Sequence, residues 1–107
     1  MSGERSPRIA PLDKSPEMQA QRKAFLAETI RDGYFTKVEP GSGIPKVWVT
    51  LKFMGVDFEA KGALISVVYA YYFDGSNDYA IVQLKEARTG RVVGDYYIAQ
   101  GGLKMRG

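Results

Sequence analysis

DFEAKGALISVVYAYYF, the segment Asp57–Phe73, is the most apolar part of this chain and decides its fold. From Ala63 to Phe73, only Ser66 is neither apolar nor aromatic. A segment of this composition belongs in the interior, so we place it at the centre of the core. The sequence does not state what the protein does; it predicts a small soluble α+β domain and argues against several chemistries.

The central segment is predicted to be a helix. Strands usually extend over about 5–6 residues, so this segment is long for a strand. Asp57 can cap a helix and Glu59 then lies in the first turn, where a carboxylate suits the helix dipole. The polar cluster at residues 74–78 would end the helix. The alternative is a hairpin that turns at Ala60–Gly62 and continues as a long central strand over Ala63–Phe73, which the Val, Tyr and Phe content favours.

The flanking segments carry signals for a second helix and for two hairpins. Ser15-Pro16-Glu17 is typical of a helix start, and the spacing of Met18, Phe25, Leu26 and Ile30 predicts a helix over Pro16–Asp32 with its Met18/Phe25 face inward. Alternation of apolar and polar residues predicts strands. These strands are Phe35–Glu39, Lys46–Phe53, Tyr79–Glu86 and Arg91–Ile98, with a hairpin turn at Ala87–Gly90.

These elements follow the order α-β-β-α-β-β. The simplest layering is a four-stranded antiparallel sheet with two helices packed on one face. Residues 1–14 are polar and contain two prolines, which predicts a disordered N-terminal tail followed by a single domain at 15–107. Leu103–Arg106 is interpreted as a short basic tail whose Leu103 or Met105 can anchor on the domain.

Composition limits the chemistry. The chain has 107 residues, a net charge of +3, no cysteine and no histidine. It therefore lacks a disulfide framework, thiolate ligands and the commonest general base. The acidic cluster at 74–78 fails the calcium-loop pattern, because Tyr79 stands where glycine is needed and Lys85 where glutamate is needed. We expect no enzyme activity, no cofactor and no metal.

The chain shows no membrane span and no signal peptide. The default location is the cytoplasm, and a secreted or periplasmic location after removal of a leader is the alternative.

Several short motifs resemble small bacterial α+β proteins of unassigned function. The resemblance covers roughly residues 20–105 and implies no activity. It is consistent with the helical interpretation of the central segment. The motifs are Val47-Trp48-Val49, Asp57 to Lys61, Tyr69-Ala70-Tyr71-Tyr72, Thr89-Gly90 and Gly101-Gly102-Leu103.

The candidate interaction surface is the sheet face opposite the helices. Trp48 would lie there between Lys46 and Lys52, because these residues alternate with the aliphatic set of their strand. Aromatic residues rimmed by Lys and Arg are typical of protein contact surfaces, so we expect a protein-interaction or assembly module, with a homodimer as one form. The alternative is single-stranded nucleic acid on the same aromatic and basic face. The further candidate residues are Tyr79, Tyr97, Arg88 and Arg91.

Overall fold

The computed structural model describes residues 12–74, 80–98 and 102–106. Within these ranges the chain forms three helices and a five-stranded mixed sheet, which confirms the α+β class. The sheet differs from the four antiparallel strands that the sequence predicts. The elements are α1 (Pro16–Arg31), β1 (Phe35–Glu39), β2 (Lys46–Val49), α2 (Leu51–Met54), α3 (Phe58–Tyr72), β3 (Ile81–Glu86), β4 (Val92–Tyr97) and β5 (Gly102–Met105).

The central segment is the helix α3, as predicted. Asp57 is its N-cap, and the carboxylate Oδ1 accepts a hydrogen bond of 2.8 Å from the amide of Ala60. The side chains of Ile65, Val68 and Tyr69 are buried, and their spacing places them on one face of the helix. The helix is not enclosed on all sides, because the side chain of Phe58 is 59% exposed.

The strands follow chain order across the sheet, β1-β2-β3-β4-β5. The hairpins β1/β2 and β3/β4 are antiparallel, as predicted, and Gly90 has the positive φ of 76° that the second turn requires. β2 and β3 are parallel, which was not predicted. A parallel pair needs a long crossover connection, usually a helix, and α3 lies in that connection.

The predicted strand Lys46–Phe53 is wrong after Val49. The hydroxyl of Thr50 accepts a hydrogen bond of 3.3 Å from the amide of Phe53 and begins α2. The same hydroxyl donates a hydrogen bond of 2.6 Å to the carbonyl of Gly33, so it also joins the strand end to the loop before β1. The period of the side chains therefore changes at Thr50, and Leu51, which the strand pattern placed inside, is 66% exposed.

The final segment forms a strand, although its composition predicts a basic tail. Gly102–Met105 forms β5 and pairs antiparallel with β4, instead of forming a basic tail. Leu103 is buried and Met105 packs against the core, so the two apolar residues of this segment face inward together. The fifth strand was missed because four residues after a glycine pair carry little periodic signal.

α1 begins as predicted, and only part of its predicted face is buried. The hydroxyl of Ser15 caps it and Pro16 occupies its first turn. Its buried residues are Leu26 and Thr29, whereas Phe25 is 38% exposed, so the prediction that Phe25 faces inward is wrong. Thr29 can be buried because its hydroxyl donates a hydrogen bond of 2.8 Å to the carbonyl of Phe25.

The core lies between the helices and one face of the sheet. It is built from aliphatic residues of the strands, from α3 and from the buried aromatic side chains of Phe35, Phe53 and Tyr96. Its fully buried large side chains are Phe35, Phe53, Ile65, Leu84, Val47, Val49, Val68 and Val82.

Lys14 joins the segment before α1 to the end of α3. Its ammonium group donates hydrogen bonds of 2.7, 2.8 and 3.1 Å to the carbonyls of Ala70, Tyr71 and Phe73. The last carbonyls of a helix have no partner within the helix, and a cation beside them also complements the helix dipole. Burial lowers the pKa of Lys14. The amide of Leu12 adds a bond of 2.7 Å to the carbonyl of Asp74.

Replacing Lys14 with methionine is expected to lower the free energy of unfolding by about 1 kcal/mol, because the carbonyls of Ala70 and Phe73 lose this donor at a partly exposed site. The carbonyl of Tyr71 keeps a hydrogen bond from the side-chain amide of Gln19. Urea denaturation followed by circular dichroism measures this change. Lys23→Met is the matched control, since Lys23 is exposed on α1. Equal midpoints for the two variants would mean that the Lys14 contacts add no stability.

Candidate functional site

The two faces of the sheet differ sharply in chemistry. Val47, Val82 and Leu84 point toward the helices, and the residues that alternate with them point away. The register carries this second set across all five strands. We define the outer face by its residues, which are Lys37, Glu39, Lys46, Trp48, Ile81, Gln83, Lys85, Asp95, Tyr97 and Lys104.

Trp48 lies between two lysines in one row of the outer face. Its register partners are Lys37 on β1 and Lys85 on β3. The ammonium of Lys37 is 4.3 Å from the centroid of the indole ring, and that of Lys85 is 5.7 Å away. Both distances are within the range of cation–π attraction. The ring is therefore half-buried under charged side chains rather than bare.

A second row crosses the sheet beside the first. It runs from Glu39 through Lys46, Gln83 and Asp95 to Lys104. Every side chain in it is polar, so this row separates Trp48 from Ile81 and Tyr97, which lie on its other side. The outer face is therefore basic, with Trp48 and Tyr97 on opposite sides of a polar row.

Both carboxylates of the outer face are engaged. The ammonium of Lys37 is 3.4 Å from Glu39, and the guanidinium of Arg106 is 2.8 Å from Asp95, which is 7% exposed. Within the described ranges, Lys46, Lys85 and Lys104 have no carboxylate partner. The outer face therefore presents unpaired positive charge to a ligand.

The predicted site residues divide into three groups. Trp48, Lys46 and Tyr97 all lie on the outer face, with Tyr97 two strands away from Trp48. The prediction that Lys52 flanks Trp48 is wrong, because Lys52 lies on α2. The ammonium group of Lys52 donates a hydrogen bond of 2.8 Å to the carbonyl of Asp32 and lies 4.4 Å from the centroid of the Tyr34 ring.

Arg88 and Arg91 are exposed beside the turn between β3 and β4 and are not part of the outer face. Tyr79 lies outside the described residues. Lys37 and Lys85 were missed, although both stand at polar positions of predicted strands. Their approach to Trp48 depends on strand register, which the sequence pattern did not contain.

Shifted pKa values occur on the helix side of the sheet. Burial raises the pKa of Tyr96, whose ring packs 5.6 Å from that of Tyr69 beneath α3. Burial is also the main cause of the raised pKa of Tyr72. These shifts follow from packing, so they do not point to an acid–base pair.

Two other kinds of site are absent from the described part of the chain. No group of three or more His, Cys, Asp or Glu residues is arranged there to hold a metal ion. None of the helices described there has the length and apolar character needed to cross a membrane.

Comparison with known proteins finds no matching family model, and no matching relative among curated proteins or solved structures. The resemblance to small bacterial proteins therefore stays a prediction.

Proposed function

We propose that this protein is a non-enzymatic interaction module whose outer face binds an acidic segment of a partner protein. The row Lys37-Trp48-Lys85 carries the proposal, because it combines an aromatic anchor with ammonium groups on both sides. Tryptophan is enriched among the residues that dominate binding energy at protein interfaces. The unpaired lysines would steer an acidic partner toward it.

The position of the Lys37 ammonium favours a protein partner over a nucleic acid. It lies 4.3 Å from the centroid of the Trp48 ring, where a base would have to stack. A carboxylate can bind the lysines while the ring keeps its neighbours.

Single-stranded nucleic acid is the second candidate. Five basic side chains, counting Arg106, surround the aromatic residues of the outer face, against two acidic ones. This charge would hold a phosphate backbone, provided that Lys37 moves aside for a base. Binding of an acidic peptide and binding of a nucleic acid would both weaken as salt rises. The two candidates are therefore distinguished by comparing the two kinds of ligand directly.

Titration with peptides tests the proposal directly, because Trp48 is the only tryptophan and its fluorescence reports on the outer face. An extended peptide of alternating glutamate and valine is expected to change the emission and to bind more weakly as salt rises. The same peptide with lysine in place of glutamate is expected to leave it unchanged. Lys85→Gln should weaken the binding of the acidic peptide roughly threefold to tenfold.

Lys23→Gln is the matched control, since it removes the same charge from the exposed surface of α1. Equal weakening by the two variants would show that only net charge matters and would contradict the proposal. Tighter binding of an oligothymidine than of the acidic peptide would favour the second candidate.

Sedimentation tests the self-association form of the proposal. A dimer that Trp48→Ala dissociates would mean that the outer face binds a second copy of this chain.

A further inference from the structure

A groove lies at the carboxyl ends of the parallel strands β2 and β3, one residue beyond the row that contains Trp48 and Lys85. Its volume is about 480 Å³. Sites for small molecules usually have volumes of about 300–1,000 Å³ and are mostly apolar with a few polar groups. The lining residues are Gly33, Thr36, Val49, Thr50, Leu51, Lys52, Glu86, Ala87 and Arg88.

The fold creates this groove where two connections leave the sheet in different directions. After β2 the chain turns into α2 at Thr50, and after β3 it turns toward β4 at Ala87. The amide of Ala87 donates a hydrogen bond of 2.8 Å to the carbonyl of Val49, and this bond joins the two strand ends at the groove. In sheets with parallel strands, ligands commonly bind outside the carboxyl ends of those strands.

The apolar wall of the groove is exposed. Leu51 has 66% of its surface exposed, although it begins a helix that buries Phe53. Ala87 provides further, half-buried apolar surface beside it, whereas Val49 is fully buried beneath the groove. An apolar ligand of modest size would cover part of this surface and gain the free energy of removing it from water.

The charged wall of the groove is positive. Arg88 is exposed and makes no ion pair with any residue that the structure describes. Lys52 adds a second cation, held in place by its bond to the carbonyl of Asp32. Glu86 is the one acid among the lining residues, and its Oε1 accepts a hydrogen bond of 2.7 Å from the hydroxyl of Thr89.

We propose that this groove binds a small amphipathic carboxylate. Its apolar body would lie on Leu51 and Ala87, and its carboxylate would meet the guanidinium of Arg88. A guanidinium presents paired donors that match the two oxygens of a carboxylate. The inference is independent of the proposed function, because it uses different residues.

Amide chemical-shift mapping of the protein with decanoate, kept below its micelle concentration, tests the proposal. Shifts are expected at Val49, Leu51, Ala87 and Arg88, with smaller ones on the outer face. Decan-1-ol, which has the same chain without the charge, is expected to bind more weakly at the same site. Arg88→Gln should weaken the binding of decanoate roughly threefold to tenfold and leave the binding of decan-1-ol unchanged.

Arg91→Gln is the matched control, because Arg91 is an exposed cation beside the same turn and does not line the groove. Equal loss in the two arginine variants would overturn the assignment to Arg88. Absence of shifts at the groove residues, or shifts centred on the outer face, would overturn the site itself.

Discussion

Replacing Val68 with aspartate is expected to prevent folding. Val68 lies on the sheet-facing side of α3 and its side chain is 0% exposed. A carboxylate there would be buried without a partner, at a cost of several kcal/mol against a total stability of about 5–15 kcal/mol. Circular dichroism and the dispersion of amide resonances are expected to report an unfolded chain.

Ala63→Asp is the matched control for this substitution. Ala63 lies on the exposed side of the same helix, so the new carboxylate stays in water. Its melting temperature is expected to stay close to that of the unchanged protein. A folded Val68→Asp variant with an unchanged melting temperature would mean that this position is exposed and that α3 packs on the sheet through another face.

Replacing Gly94 with alanine is expected to lower the free energy of unfolding by about 1–3 kcal/mol, the usual effect of overfilling a well-packed site. Gly94 on β4 faces Met105 on β5. A β-carbon at Gly94 would lie 2.9 Å from the sulfur of Met105 and 3.0 Å from the carbonyl oxygen of Lys104. The oxygen belongs to the backbone, so relief requires the two strands to separate.

Gly62→Ala is the internal comparison, and the opposite sign is expected. Gly62 lies inside α3 and a β-carbon there would meet no atom within 4 Å. Alanine favours the helix over glycine by up to about 1 kcal/mol. Thermal unfolding of the two variants should therefore move in opposite directions. A Gly94→Ala variant as stable as the unchanged protein would show that β4 and β5 are not packed this closely.

The helices were predictable because their signals are local. Asp57 and Ser15 are caps that act on amides three residues ahead, and both work as predicted. The direction of β2 relative to β3 was not predictable in this way. It depends on a crossover that brings Val47 beside Leu84, and no short-range pattern records that pairing.

The candidate surface was likewise predictable only where its signal lies within a single strand. Trp48 was found because alternation within one strand separates it from Val47 and Val49. The lysines that flank it come from neighbouring strands, so their positions follow from register. Lys52 was misplaced because Thr50 caps a helix, and a threonine is equally common within a strand.

The linear strand order has a kinetic consequence. Each antiparallel pair joins strands that are close in the chain, so these contacts form with little loss of chain entropy. The contact between Val47 and Leu84 instead closes a long loop that contains α2 and α3. Topology therefore makes the union of the N-terminal hairpin with the C-terminal strands the slow step on the route to the native state.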